Sequence, residues 1–344
     1  MPRATGFRGT GPRGTGLRAA AWLGLLALLL ALPHALSFSQ QEVLVFLTIN
    51  VLLVASYRLL TLTGEWSLGH VVIMGVGAYG SALVSKHAGL PVPLAMPTGA
   101  LIAVGVAWLL SWPLFRMKGF YFLIGSFAAA EVIRLTWKRF REPFGGPKGL
   151  KRIEPMPDFD IGLWRFDFFE PVSYYYFALV VVAAGLWVMW RIERSPVGLT
   201  FHAVHWRDVL AQASGVDVRA YRTLAFTLAS GFAGLSGALL AHYIGTINPN
   251  AFDVEQMVYV LTWAIVGGTA TFYGPILGCV TLTVLNEIVL RELGLEQTRP
   301  LVYGLVLILS VLFLPQGLES VVRRALPARA PEPAPGPAPE EARA

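Results

Sequence analysis

The chain has 344 residues, and only 14% of them are charged, against roughly 25% in an ordinary soluble protein. Hydrophobic residues make up 55% and mean hydropathy is +0.59. So few charges cannot cover a water-facing surface, which excludes a typical cytosolic enzyme, a disordered chain and a disulfide-stapled secreted domain. The single cysteine, Cys279, closes no internal disulfide and supplies no cysteine metal cluster. The net charge of +6 comes from basic residues flanking apolar runs, so it reads as topology. No basic helix or aromatic RNA-binding motif points to nucleic acid.

In chain order, residues 1–18 form a basic start with Arg3, Arg8, Arg13 and Arg18 and no acidic residue. Ala19 to Leu36 is the first apolar run. A signal peptide has the same outline, but no small-x-small cleavage pattern precedes a soluble domain, which favours an uncleaved span. Further spans read as Val43 to Arg58, His70 to Ser85, Val92 to Phe115, Phe120 to Trp137 and Val172 to Trp190, then Thr223 to Ile244, Met257 to Phe272, Gly274 to Leu290 and Pro300 to Leu314. A transmembrane helix needs about 20 mostly apolar residues. Several of these runs are short or interrupted by Gly and Pro, so some are expected to be broken or re-entrant. The expectation is an all-α, polytopic bundle of about 8–10 spans over 19–318, with an inside loop at 191–222. A Pro-, Ala- and Glu-rich tail at 319–344 has the composition of a disordered terminus.

Placing the N-terminus inside and alternating the spans puts sixteen of the 27 basic residues inside and ten outside, with Arg134 within a span. The sign of this bias is that of a cytoplasmic N-terminus. The misfit is concentrated between Lys138 and Arg152. Either that segment has a use for positive charge or Glu142, Glu154, Asp158 and Asp160 neutralise it.

No GxxxxGK[ST] loop, HExxH, Cys/His cluster or GxSxG elbow occurs, so no catalytic constellation is visible. The longest inside polar stretch, Arg191 to Arg222, does carry a pattern. Ala203, Trp206, Val209, Leu210 and Ala213 share one face at helical spacing, with His205, Asp208 and Gln212 opposite and Gly215 as a stop. A headgroup-resting helix and a helix docked in a partner's groove both fit this pattern. Gly75, Gly77 and Gly80, then Gly231, Gly234 and Gly237, and the GxxxG of Gly274 and Gly278 predict close helix contacts or a sliding seam. Glu131 and Arg134 lie three apart and can pair at membrane depth, where charge flags function. Glu287, Glu65 and His70 are weaker flags, and Asn50 suits a hydrogen bond between helices.

Several segments then match one family in order. Ser67-Leu68-Gly69-His70 with Gly75-Val76-Gly77-Ala78-Tyr79 resembles its S/D-L-G-x…G-x-G-A-Y segment, and Arg116 to Phe122 its R-x-R-G-x-Y motif. Glu131 and Arg134 resemble its E-x-x-R, Gly145 to Gly149 its G-G-P-N-G, and Asn248-Pro249 with Phe252 its S-P-x-x-F. Gly267-Gly268 through Gly274-Pro275 resembles G-G-x-G-S-x-x-G-P, and Pro315 to Leu318 the closing P-x-G-L. From about Val43 to Leu318 the chain resembles the inner-membrane permease subunits of branched-chain amino-acid ABC transporters, the longer of the paired permeases. It departs from that pattern in three places. Lys148 replaces Asn, Ala270 and Thr271 replace G-S, and His205 to Gly215 lacks most of the acidic charge of R-E-N-E-L-A-A-E-x-L-G.

The resemblance implies a multi-pass protein of a bacterial or archaeal inner membrane, itself no enzyme, forming half of a pathway with a second homologous permease. Two cytoplasmic ATP-binding subunits would dock around Ala203, Trp206, Arg207, Asp208, Leu210, Gln212 and Gly215. ATP and Mg would sit in those partners, with no cofactor or metal in this chain. An extracytoplasmic substrate-binding protein would meet Lys138, Arg141, Lys148 and Lys151. Gly75, Gly77, Tyr79, Glu131, Arg134, Gly267, Gly268, Gly274 and Pro275 would shape the pathway or its helix packing. Urea or short amides are alternative cargoes. The rival class is an ion-driven carrier using Glu131 or Glu287, and an intramembrane enzyme ranks last.

Overall fold

The computed structural model describes residues 12–161, 164–290, 298–314 and 316–320. Expectations about residues 1–11, including Arg3 and Arg8, and about the tail beyond residue 320 lie outside the described residues. The helices are α1 (Pro12–Ala35), α2 (Phe38–Thr61), α3 (His70–Ala88), α4 (Val92–Leu114), α5 (Phe120–Arg139), α6 (Pro171–Glu193), α7 (Pro196–Trp206), α8 (Asp208–Ala213), α9 (Val218–Ile244), α10 (Val254–Gly267), α11 (Gly274–Val284) and α12 (Arg299–Phe313). Of these, α2, α4, α5, α6 and α9 have the length and apolarity to cross a membrane, and α10 and α12 contain shorter apolar helices. At about 1.5 Å per residue the 24 residues of α2 reach about 36 Å, enough for the ~30 Å hydrocarbon layer.

The centre of the bundle is α2, α3, α4 and α9. Small residues decide this. Ala225, Ala229, Ala233, Gly234, Gly237 and Ala238 line the buried side of α9, so α3 and α4 come close to its backbone. A Cβ placed on Gly77 of α3 would lie 2.2 Å from Gly234 Cα. The glycine pattern therefore marks packing between α3 and α9. Lipid tails are as apolar as leucine, so such a seam is held by dense van der Waals contact rather than by hydrophobic burial. α6 packs on α2, α5 on α3 and α1 on α6.

The last two expected spans before the C-terminal helix differ from the rest. α10 and α11 form a hairpin, and the 14 residues of α10 extend only about 21 Å. Gly268, with φ of +97°, starts the non-helical link 268–273, and α11 loosens into a π-helical stretch over Leu285–Leu290. This is the broken geometry that the Gly-rich sequence predicted.

Among the described residues four short strands lie outside the helices: β1 (Leu150–Lys151), β2 (Phe159–Ile161), β3 (Trp164–Phe166) and β4 (Thr246–Ile247). β1 pairs antiparallel with β4, Leu150 opposite Ile247, and β2 with β3. The β1–β4 pair joins the loop after α5 to the end of α9 and marks one end of the bundle. The α7–α8 pair marks the other.

Candidate functional site

At the α7–α8 end, Ser195 caps the first turn of α7 through the Gly198 N–H at 3.5 Å, and Pro196 supplies the favoured first position. The sequence pattern expected one continuous helix through Ala203 to Ala213. The backbone instead breaks at Arg207, with φ of −153° and ψ of 88°. Asp208 starts α8 at this break, and its carboxylate meets Lys118 Nζ at 3.3 Å and Arg222 Nη2 at 3.7 Å. The hydrogen bond from Lys118 holds the Asp208 carboxyl below the usual carboxylate range, with Arg222 adding to the effect. Arg222 Nε also lies 3.1 Å from Glu65 Oε1 in the α2–α3 loop. Burial pushes Glu65 up, and Arg222 opposes that shift.

Phe201, Val204 and Ala211 turn inward. Ala203, Trp206 and Leu210 turn outward, Trp206 with 79% of its surface free. With Leu199 and Val216 they line a groove of about 430 Å³, with Arg207 at its side. Gln212 and Gly215 are exposed, and Gly215 takes a positive φ of +87° where the helix stops. An exposed tryptophan in an apolar groove rimmed by polar groups is the anatomy of a protein contact.

Two buried charges, Arg58 and Glu319, meet the α10–α11 tip, and the sequence reading singled out neither. Arg58 of α2, 1% exposed, donates from Nη2 to Glu193 Oε1 at 2.5 Å and from Nη1 to the Thr269 carbonyl. Glu193 ends α6 two residues before Ser195. From the other side, Glu319 accepts from Thr271 N at 2.8 Å and Thr271 Oγ1 at 2.6 Å. Glu319 departs from the tail expectation because these bonds and its contact with Gly268 leave it 6% exposed. Gly267, Gly274 and Gly278 close the same tip by backbone contact, and Pro275 is buried beside them.

The opposite side of the hairpin lines a cavity of about 450 Å³ that reaches from Ser39 and Glu42 at the strand end down to Asn50, Met74 and Trp263. Beside it, Trp263 Nε1 and Asn286 Oδ1 are buried without a hydrogen-bond partner among the described residues. Each such atom costs about 1–3 kcal/mol, whereas the Thr283 hydroxyl has the Cys279 thiol as a partner. The π-helical stretch passes through Asn286 and Glu287, and such bulges favour functional positions. Trp263 and Thr283 carried no signal in the sequence beyond their place in apolar runs.

At the strand end, Arg141, Lys148 and Lys151 line a second groove of about 750 Å³, joined by Lys86, His87 and Arg152. Lys138 is not part of it; it sits half-buried in the last turn of α5. Glu154 is engaged by Ser85 Oγ at 2.8 Å, and Asp158 accepts from the Phe168 N–H at 3.3 Å. Among the described residues none of these basic side chains has a salt bridge. Glu131 and Arg134 do pair, with Arg134 Nε donating to Glu131 Oε2 at 2.8 Å. Tyr79 stacks on Trp137 with ring centres 4.6 Å apart, and Gly75 makes room for that tryptophan. His70 is fully buried and bonded to Ser56 Oγ at 2.8 Å. Among the described residues no group of three His, Cys, Asp or Glu is placed to hold a metal ion.

A family described as "Branched-chain amino acid transport system / permease component" matches residues 40–311. The high-affinity branched-chain amino acid transport system permease protein LivM of Escherichia coli (strain K12) is 27% identical over 320 residues, covering 88% of this chain and 75% of that protein. The corresponding LivM of Salmonella typhimurium is 27% identical over the same shares. The autoinducer 2 import system permease protein LsrC of Enterobacter sp. (strain 638) is 28% identical over 295 residues, 83% of this chain and 80% of that protein. No solved structure matches.

Proposed function

The chain belongs to the family of branched-chain amino acid transport permease components, and from that premise we propose that it imports branched-chain or related amino acids as one half of a permease pair. The coarser statement needs no proposal: it is a multi-pass membrane permease of an ABC importer. ATP hydrolysis belongs to separate ATPase subunits, and this chain converts their motion. The observation that carries the reading is the exposed apolar groove of α7 and α8, tied through Asp208, Arg222 and Glu65 to the α2–α3 loop and, one turn upstream, through Glu193 and Arg58 to the α10–α11 tip.

In this reading two ATPases seat on Ala203, Trp206 and Leu210. Their closure displaces α7, and the displacement passes to the hairpin whose far side lines the cavity. A binding protein delivers solute at the strand end, where Arg141, Lys148 and Lys151 face an acidic rim. Opposite charge speeds and orients such docking. The LsrC relatives favour a second reading, a different small solute moved by the same machinery.

The test is affinity purification of the chain from its native membrane, with identification of what copurifies. An ATPase pair and a second permease bear the reading out. A solitary chain recovered in mild detergent, transporting without nucleotide, overturns it in favour of an ion-driven carrier.

A further inference from the structure

We propose that the groove between the inner ends of α4 and α9 binds one phospholipid with an anionic headgroup. Arg116 and Arg219 hold its phosphate, and its acyl chain lies along α4. The ligand is a component of the membrane itself, distinct from whatever solute the permease moves.

Depth is the first observation. Trp108, Trp112 and Arg116, four residues apart, line a groove of about 630 Å³. At about 1.5 Å per residue, Trp108 and Trp112 lie about 9 Å and about 3 Å before Leu114, where α4 ends. That is the level of the headgroup boundary, where membrane proteins place tryptophan. The two rings are 50% and 60% exposed, with centres 6.0 Å apart. One more step brings Arg116 to the level of the phosphates.

Charge is the second. Arg219 Nη2 donates to the Trp112 carbonyl at 3.1 Å, which sets the start of α9 level with the end of α4. The other guanidinium donors of Arg219 stay available, since the group carries five. Among the described residues neither Arg116 nor Arg219 has a salt bridge. Asp217 is the one acid in the lining, and its carboxylate accepts from the Ala220 N–H at 3.0 Å as the cap of α9. Two positive charges therefore stand against one negative. Basic pockets between helix ends on the inner side favour anionic headgroups, and guanidinium forks suit phosphate.

The wall above the arginines is the third. Trp108, Trp112 and Leu224 line it. Thr227 turns its hydroxyl to the Thr223 carbonyl of its own helix at 2.9 Å. The α4 stripe continues outward through Gly105, beside which the space is open, to Leu101, 67% exposed. An acyl chain fits that track, whereas a soluble anion would use only the two arginines.

The experiment titrates the full-length chain in maltoside micelles with phosphatidylglycerol brominated on its acyl chains and follows quenching of tryptophan fluorescence. Brominated phosphatidylcholine is the comparison, and glycerol phosphate is the soluble competitor. The expected result is a component saturating at one phosphatidylglycerol per chain, absent with phosphatidylcholine and not displaced by glycerol phosphate. Replacing both Trp108 and Trp112 by Phe should remove that component. Arg116→Gln and Arg219→Gln should each weaken it by about tenfold, the loss of one hydrogen bond to a charged group. Asp217→Asn keeps a good helix cap and removes the opposing charge. It should tighten the lipid by about fivefold, a gain that misfolding cannot produce. Equal quenching by the two lipids would show ordinary lipid contact and overturn the proposal. So would displacement by glycerol phosphate, which marks a free-phosphate site, or the absence of a saturable component, as when a second copy of the chain covers the groove. Affinities unchanged in Arg116→Gln and Asp217→Asn would overturn it as well.

Discussion

Arg58 and Glu193 stand 135 residues apart in the chain and meet at 2.5 Å, where the inner ends of α2 and α6 converge beneath the Thr269 carbonyl. Removing one member of a buried pair leaves the other uncompensated, at a cost of about 3–5 kcal/mol. Arg58→Gln should destabilise the chain by that order in thermal unfolding in detergent. Arg58→Lys should recover little, because an ammonium cannot bridge a carboxylate and a carbonyl as the guanidinium fork does. The double change with Glu193→Gln should cost less than the sum of the two singles. Strict additivity would mean that the two residues do not act as a pair.

The seam between α3 and α9 leaves no room for a methyl group. Gly77→Ala should cost about 1–3 kcal/mol, since the atoms it meets are backbone on both sides. Gly105→Ala on α4 meets nothing within 4 Å and should be neutral or slightly stabilising, by up to about 1 kcal/mol. Yield and unfolding temperature of the two variants, compared side by side, check this.

On the α7–α8 groove, Trp206→Asp and Leu210→Glu change side chains that are 79% and 63% exposed. Neither should move the chain's own stability by more than about 0.5 kcal/mol. Both should weaken ATPase attachment by about 2 kcal/mol or more, the scale of an aromatic anchor. Pull-down of the ATPase against a titrated detergent-purified chain reads the difference. Retained attachment in both variants would remove this surface from the contact.

His202, on α7, has its imidazole pKa lowered by burial, with Arg58 and His205 adding to the shift and Glu193 opposing it. The fold thus prefers the neutral ring. Its contribution to stability is complete above the ordinary value of about 6.5 and is lost as pH falls through the lowered folded value. Between about pH 7.5 and about pH 5 the wild type should lose more thermal stability than His202→Gln. Parallel slopes would show that His202 does not titrate within the fold in this way.

For the basic groove, the double charge reversal Lys148→Glu with Lys151→Glu should slow capture of the binding protein and flatten its dependence on salt. The measurement is stimulation of ATPase activity by the binding protein in the reconstituted complex at low and high ionic strength. Unchanged stimulation would remove the groove from the docking surface.

The helical architecture was legible because apolar runs of membrane length are a one-dimensional signal, and the pairing of Glu131 with Arg134 because three residues apart is a contact along any helix. Arg58 was legible only as one positive charge among those on the inside. Its partners lie 135 and 211 residues away, a relation that no local spacing encodes. The break at Arg207 was hidden for the opposite reason. The helical periodicity of Ala203 to Ala213 is real, but the backbone breaks at Arg207, and Asp208 opens a second helix where it meets Lys118 and Arg222, residues far away in the sequence. Trp263 and Thr283 look like ordinary lipid-compatible residues until α10 and α11 are folded against each other. Glu319 carries the composition of the tail that follows it, and only the tip it touches sets it apart.

That last contact bears on the order in which the protein is made. Thr271 waits for an acceptor that lies 48 residues later in the chain. The α10–α11 tip therefore lacks its two bonds to Glu319 while either hairpin arm is leaving the ribosome, and still lacks them when α12 enters the membrane. Those bonds form only after residue 319 has been synthesised and has folded back onto the tip, so the last fastening between the α7–α8 end and the cavity wall is made late.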